Sequence, residues 1–150
     1  MRFDLTLNEF TRDLAVGNEL LIYDAHTWRP YCHVRDFAKL IQTVIEATAE
    51  KVSYEIFNAG GDKNNATKQM IVDAILDKIP LGKAKYQDHG HDHRNYRVSF
   101  DKVKKTLGFE PKYTIKDGIS ELIGAINNHI FDNVKANQNF HGNHEIKYPI

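Results

Sequence analysis

Residues 20–41, LLIYDAHTWRPYCHVRDFAKLI, decide how the chain is read. The run opens with four apolar residues, Leu20 to Tyr23, short enough for a strand and too short for a buried helix. The polar residues from Asp24 to Pro30 predict a loop. Beyond His33 the apolar period becomes helical: Phe37, Leu40, Ile41, Val44 and Ile45 line one face, predicting a helix over about residues 35–49. A strand, a polar loop and an amphipathic helix in succession point to an α/β fold.

The flanking sequence continues the mixture. Upstream, Phe3, Leu7, Phe10 and Leu14 recur at helical spacing, with Gly17 as the stop. Downstream, Tyr54, Glu55, Ile56, Phe57 and Asn58 predict a strand, and Gly60 and Gly61 a tight turn in which positive φ is tolerated. Thr67 is the expected N-cap of a helix striped by Ile71, Ile75 and Ile79 and stopped by Pro80. Residues 83–87 and 96–98 are expected as short strands, with the polar DHGHDHRN loop (residues 88–95) between them. Ser99 caps a short helix ending at Leu107 with Gly108 as terminator. Thr114 and Asp117 have capping-box spacing ahead of Ile119, Leu122, Ile123 and Ile126. Residues 1–130 form the expected domain and residues 131–150 an expected loose extension, polar and aperiodic. So few short strands make a poor sheet on their own, which suggests that part of the sheet lies elsewhere.

Composition narrows the function classes. Lys and Arg number 20 against 20 Asp and Glu, a balance that disfavours nonspecific binding to nucleic acid or to an acidic membrane. Cys32 is the single cysteine, so no intramolecular disulfide forms and a reducing cytoplasm is the expected location. No apolar run approaches membrane-span length, and the opening MRFDLTLNEF lacks the apolar core of a signal peptide.

Three blocks carry a family resemblance. Residues 20–41 resemble the segment of extended short-chain dehydrogenases/reductases in which an apolar strand leads to an Arg and then to an aromatic-His-Val-x-Asp helix start. YEIFNAGG (residues 54–61) resembles that family's Asn-x-Gly strand and turn. DHRNYRVSFDKVKKTLGFEPKYTIKDGI (residues 92–119) resembles its closing pattern, and the blocks stand in family order. The chain is thus similar to the C-terminal, substrate-binding part of an NAD-dependent nucleotide-sugar epimerase/dehydratase. The resemblance implies helices and a few short strands that pack on a Rossmann half.

In that family the N-terminal half holds NAD on a Gly-x-x-Gly-x-x-Gly turn and carries a catalytic Tyr-x-x-x-Lys pair. Neither is in this sequence: Gly60 and Gly61 are adjacent, and no tyrosine is followed four residues later by lysine. The cofactor is therefore expected to be NAD bound by the half this chain lacks, with no catalytic, cofactor or metal residue here. Met1 falls where the family normally runs on without a break, so the chain is expected to represent part of a larger enzyme, inactive alone. Its expected partners are a nucleotide diphosphate-sugar and a separate Rossmann half or a second copy of itself. A free-standing nucleotide-sugar-binding or regulatory module is the alternative.

The resemblance also implies a binding site. Arg29 and Arg94 match positions of phosphate-binding arginines, a task suited to the planar guanidinium fork, with Arg97 competing for the second place. Leu21 and Tyr23 match strand positions beside the nucleotide base, and Asn8 resembles an Asn that approaches the diphosphate from the first helix. His33, Asp36 and Asn58 read as structural, and Cys32 as a small buried residue. His89, His91 and His93 with Asp88 and Asp92 offer metal-ligand types, but on alternating positions of a polar loop without closed-site spacing.

Overall fold

The computed structural model describes residues 2–89 and 94–132. The elements run α1 (Thr6–Ala15), β1 (Glu19–Tyr23), β2 (Trp28–Pro30), α2 (Val34–Glu46), α3 (Ala49–Val52), β3 (Asn65–Thr67), α4 (Lys68–Leu76), β4 (Lys83–Gln87), α5 (Asp101–Leu107) and α6 (Ile115–Asn127). The strands form two ribbons. β1 pairs in parallel with β4, from Glu19 beside Lys83 to Tyr23 beside Gln87. β2 pairs antiparallel with β3, Trp28 facing Thr67 and Pro30 facing Asn65.

The larger core follows from strand alternation. Leu20 and Ile22 turn inward from β1 and meet Phe10 and Leu14 of α1, Ile71, Val72 and Ile75 of α4, and Ile119 of α6. Burying each such large aliphatic side chain contributes about 1.5–3 kcal/mol relative to exposure. A second cluster joins Leu40 of α2 to Phe100, Val103 and Phe109, with Val44, Phe57 and Ala59 half-buried against it.

Three helix ends follow the expected side-chain chemistry, whereas the N-cap of α5 is Phe100 and not the expected Ser99, whose Oγ accepts from Asp101 N–H at 3.3 Å. Thr67 Oγ accepts from Met70 N–H at 3.1 Å at the start of α4. At α6 the capping box closes both ways: Thr114 Oγ accepts from Asp117 N–H, and the Asp117 carboxylate accepts from Thr114 N–H at 2.8 Å. Gly108, at φ 64°, ends α5 in the left-handed conformation that lacks a Cβ penalty.

Four expectations need correction. The predicted loop over residues 24–30 ends in β2, whose three residues are too few to show an alternating pattern. Residues 54–58 form no strand: after α3 and the positive φ of Tyr54 (58°), the segment pairs with no strand among the described residues. Residues 96–98 likewise form no strand among the described residues, although Tyr96 N–H reaches Trp28 C=O of β2 at 3.3 Å. The Asn65 side chain substitutes for a partner strand, donating to Val98 C=O at 2.9 Å and accepting from Val98 N–H at 3.0 Å. Lastly, only Gly60 has positive φ (146°); Gly61 is extended. Gly61 is required for space, because a Cβ there would lie 2.5 Å from Pro111 Cγ.

Candidate functional site

The period of β1 sets the first part of the site. With Leu20 and Ile22 committed to the core, Leu21 and Tyr23 must point outward, and they remain 48% and 41% exposed. Lys85 and Gln87 stand beside them in the parallel register. The Tyr23 carbonyl accepts from Lys68 Nζ at 2.7 Å, which fixes the end of the strand. Asp24 then takes φ 48° and Thr27 N–H donates to Asp24 C=O at 3.0 Å, turning the chain into β2. The Asp24 carboxylate accepts from His89 N–H at 3.0 Å, tying the segment after β4 to this turn.

β2 is the centre of the second part. One side pairs with β3, and the other receives residues 95–96: Trp28 N–H donates to Asn95 Oδ1 at 2.9 Å, and Tyr96 N–H to Trp28 C=O at 3.3 Å. The side chains interleave. The Arg29 guanidinium lies 5.2 Å from the Tyr96 ring centre and donates to Trp28 C=O at 2.7 Å, while Arg97 lies 4.9 Å from the Trp28 ring. Stacking of this kind contributes about 0.5–1 kcal/mol at exposed positions and holds each guanidinium in place. Arg94 is one residue along from Asn95, so the Arg94–Arg97 stretch and Arg29 meet at one strand despite their separation in sequence.

Tyr31 continues from β2 and packs against the larger core. Its hydroxyl is buried without a hydrogen-bond partner among the described residues. Burial pushes its pKa up to about 12, opposed by the charge of Arg29 and by Thr6, which stands near without reaching hydrogen-bond geometry. The start of α1 therefore borders the Arg29 region. Asn8 lies roughly 200° around the helix from Thr6, and its Nδ2 donates to Arg2 C=O at 2.8 Å.

The residues read as structural are so placed. Asp36, 4% exposed, accepts from the backbone N–H groups of Lys112 and Tyr113, both at 2.9 Å. It therefore clamps a distant loop, a contact that helix-dipole reasoning does not reveal. His33 caps α2 by accepting from Arg35 N–H on Nδ1 at 3.2 Å, meets Glu121 through Nε2 at 2.7 Å and stacks on Tyr113. Asn58 donates to Ser99 C=O at 3.1 Å. Cys32 is half-buried, and burial first, then the charge of Asp36, push its thiol pKa up.

Of the His-rich motif, residues 90–93 lie outside the described residues. Among the described residues no three His, Cys, Asp or Glu side chains are grouped to hold a metal ion. Within them, no helix is long and apolar enough to cross a membrane. The residues missed by sequence reasoning are Trp28, Asn95 and Tyr96. The paired Trp28-Arg29 and Tyr96-Arg97 dipeptides were the available signal, since an aromatic beside a cation in two separated segments allows reciprocal stacking.

The fold defines the class: an α/β arrangement of the Rossmann-type short-chain dehydrogenases/reductases. The model of the NAD dependent epimerase/dehydratase family matches residues 6–60. An uncharacterised protein of Methanocaldococcus jannaschii is 28% identical over 126 residues, 81% of this chain and 37% of that protein. The dTDP-glucose 4,6-dehydratase of Neisseria gonorrhoeae is 30% identical over 122 residues, 71% of this chain and 34% of the enzyme. The solved dTDP-glucose 4,6-dehydratase of Bacillus anthracis, in complex with NAD, superposes with a TM-score of 0.71 at 26% identity, over 87% of this chain and 42% of that one. These matches support membership of the NAD-dependent epimerase/dehydratase family. The chain spans about a third of the length of the curated relatives it matches.

Proposed function

We propose that the chain contributes nucleotide-sugar binding to an NAD-dependent nucleotide-sugar epimerase/dehydratase and has no turnover by itself. The observation that carries this reading is the meeting of Arg29 with the Arg94–Arg97 stretch on β2, one turn away from the outward face of Leu21 and Tyr23. Arg29 and Arg94 would hold the diphosphate oxygens, Leu21 and Tyr23 would lie against the base, and Asn8 would approach from α1. Guanidinium groups match phosphate geometry, and an aromatic side chain at a strand end offers the flat apolar surface a base requires.

Bound elsewhere, NAD would supply transient oxidation of a sugar hydroxyl by hydride transfer. This chain carries neither a glycine-rich pyrophosphate turn nor a Tyr-x-x-x-Lys pair, so no step through the cofactor is assigned to it. Its residues would bind and orient.

The test uses Trp28, the only tryptophan, as an internal probe. Titration with UDP, dTDP and NAD separately should quench or shift its fluorescence with a nucleotide diphosphate and leave it little changed with NAD. Losing the charge-assisted contacts of Arg29 corresponds to about 1.5–3 kcal/mol, so Arg29→Ala should weaken binding roughly tenfold to a hundredfold. Unchanged affinity in that variant, or tighter binding of NAD than of either diphosphate, would overturn the reading. Product formed by the pure chain from a nucleotide-sugar with NAD would remove the claim of inactivity.

A further inference from the structure

The two arginine–aromatic pairs around β2 lie on opposite faces of its ribbon with β3. In the antiparallel register Trp28 stands opposite Thr67, Arg29 opposite Ala66 and Pro30 opposite Asn65, and directly opposed side chains share a face. Strand alternation therefore groups Trp28 with Thr67 and Asn65. It groups Arg29 with Ala66, which is buried in the larger core. Tyr31 continues the Arg29 side, and the charge of Arg29 acts on its hydroxyl.

The segment after Asn95 crosses the edge of β2 that faces away from β3. Tyr96 N–H donates to Trp28 C=O, and the Tyr96 ring goes to the Arg29 face, 5.2 Å from that guanidinium. The next residue goes the other way: the Arg97 guanidinium lies 4.9 Å from the centre of the Trp28 ring. From that same face the Asn65 side chain grips Val98 through both its N–H and its C=O. Arg97 and Val98 are thus held from one side of the ribbon, and Tyr96 from the other.

An exposed arginine three residues from Arg94 would ordinarily be counted as another cation for the same anion. The faces argue otherwise, because a diphosphate held at Arg29 lies on the side that Arg97 leaves. We infer that Arg97 is a positioning residue for the candidate nucleotide site: stacked on Trp28 from the face opposite Arg29, it anchors the segment that carries Arg94 and makes no contact of its own with the diphosphate. The inference rests on the nucleotide-binding reading and deepens it, since it leaves Arg94 as the partner of Arg29 at the phosphates. A guanidinium suits the anchoring task, because its flat, weakly hydrated plane stacks on an indole.

The test measures UDP affinity of the full chain by calorimetry, so that Trp28 itself can be changed. A stack of this kind at an exposed position corresponds to a factor of about two to five, so Arg97→Ala should weaken UDP binding by that much. Arg94→Ala, which removes charge-assisted contacts, should weaken it roughly tenfold to a hundredfold. Trp28→Leu should match Arg97→Ala, and the double variant should lose no more than either, because both act through one stack. Added salt should weaken UDP binding as steeply in Arg97→Ala as in the wild type, and less steeply in Arg94→Ala, where a cation at the phosphates is gone. A readout without nucleotide accompanies these: in Arg97→Ala the amides of Tyr96 and Val98 should exchange about two to five times faster. A loss of about tenfold or more in Arg97→Ala, losses that multiply in the double variant, a flattened salt response or unchanged amide exchange would each overturn the inference. Failure of the wild type to bind UDP removes the binding function and, with it, this role of Arg97. Binding by the wild type with unchanged exchange in Arg97→Ala removes the role of Arg97 alone.

Discussion

Replacing Asp36 with Ala removes the acceptor for two backbone N–H groups, those of Lys112 and Tyr113, each held at 2.9 Å. Hydrogen bonds to a charged group contribute about 1.5–3 kcal/mol each, so the pair is worth roughly 3–6 kcal/mol before relaxation. Asp36 is 4% exposed, whereas the bonds themselves are only partly buried, and water will recover some of the loss. The lower end, about 3 kcal/mol, is therefore the expected cost. For a domain of this size each kcal/mol lowers Tm by about 2–4 °C, which gives a fall of roughly 6–12 °C. Asp36→Asn should fall between the two, since one carbonyl oxygen still accepts while the amide nitrogen faces an N–H. Circular dichroism melts of the three proteins, with urea titration as a second probe, measure this directly. A fall below about 2 °C for Asp36→Ala would refute the clamp, because two satisfied charge-assisted bonds cannot be lost so cheaply.

Three further outcomes are expected. Gly61→Ala should destabilise by about 1–3 kcal/mol, because its Cβ meets the fixed ring of Pro111 at 2.5 Å; an unchanged urea midpoint would show that the turn yields freely. The Asp117 carboxyl is held below its ordinary value, first by its hydrogen bond with the Thr114 side chain and then by the Thr114 backbone. A depressed native pKa contributes stability above the unfolded value that is lost as pH falls through the native one. The acid limb of the stability–pH curve should therefore flatten in Asp117→Asn, and identical limbs would contradict the capping box. Tyr31→Phe removes a buried hydroxyl without a hydrogen-bond partner among the described residues, so stability should stay level or rise by up to about 1 kcal/mol; a clear loss would mean that the hydroxyl is in fact bonded.

Much of the local architecture was legible in the chain. The caps at Thr67 and Thr114, the stop at Gly108, strands β1 and β4 and helices α2 and α4 depend on residue type and short-range period, which a linear sequence displays. The apolar residues of α2 were visible, but their division was not. Periodicity grouped Phe37, Leu40, Ile41, Val44 and Ile45 as one face, whereas Leu40 is buried, Val44 half-buried, and Phe37, Ile41 and Ile45 remain exposed. Hydrophobicity tells which groups avoid water; it does not tell which body covers them.

The expected strand over residues 54–58 shows the same limit. β-propensity describes fitness for a pleated surface, and a strand exists only when another backbone completes its hydrogen bonds. Likewise, β2 is too short to announce itself and exists through β3, Asn95 and Tyr96, while the strand expected over residues 96–98 is replaced by contacts to Trp28 and Asn65.

The sequence by itself pointed to the family, through three ordered blocks, and offered the candidate site residues: Arg29, Arg94, Leu21 and Tyr23 were named from it alone. Tertiary structure decided what surrounds them. It stacked Arg29 on Tyr96 and Arg97 on Trp28, made Asp36 a clamp on a loop 76 residues away, and left half of α2 bare. The physical reason is that caps and periods act over a few residues, whereas burial and long-range hydrogen bonds depend on which distant segments the completed fold brings together.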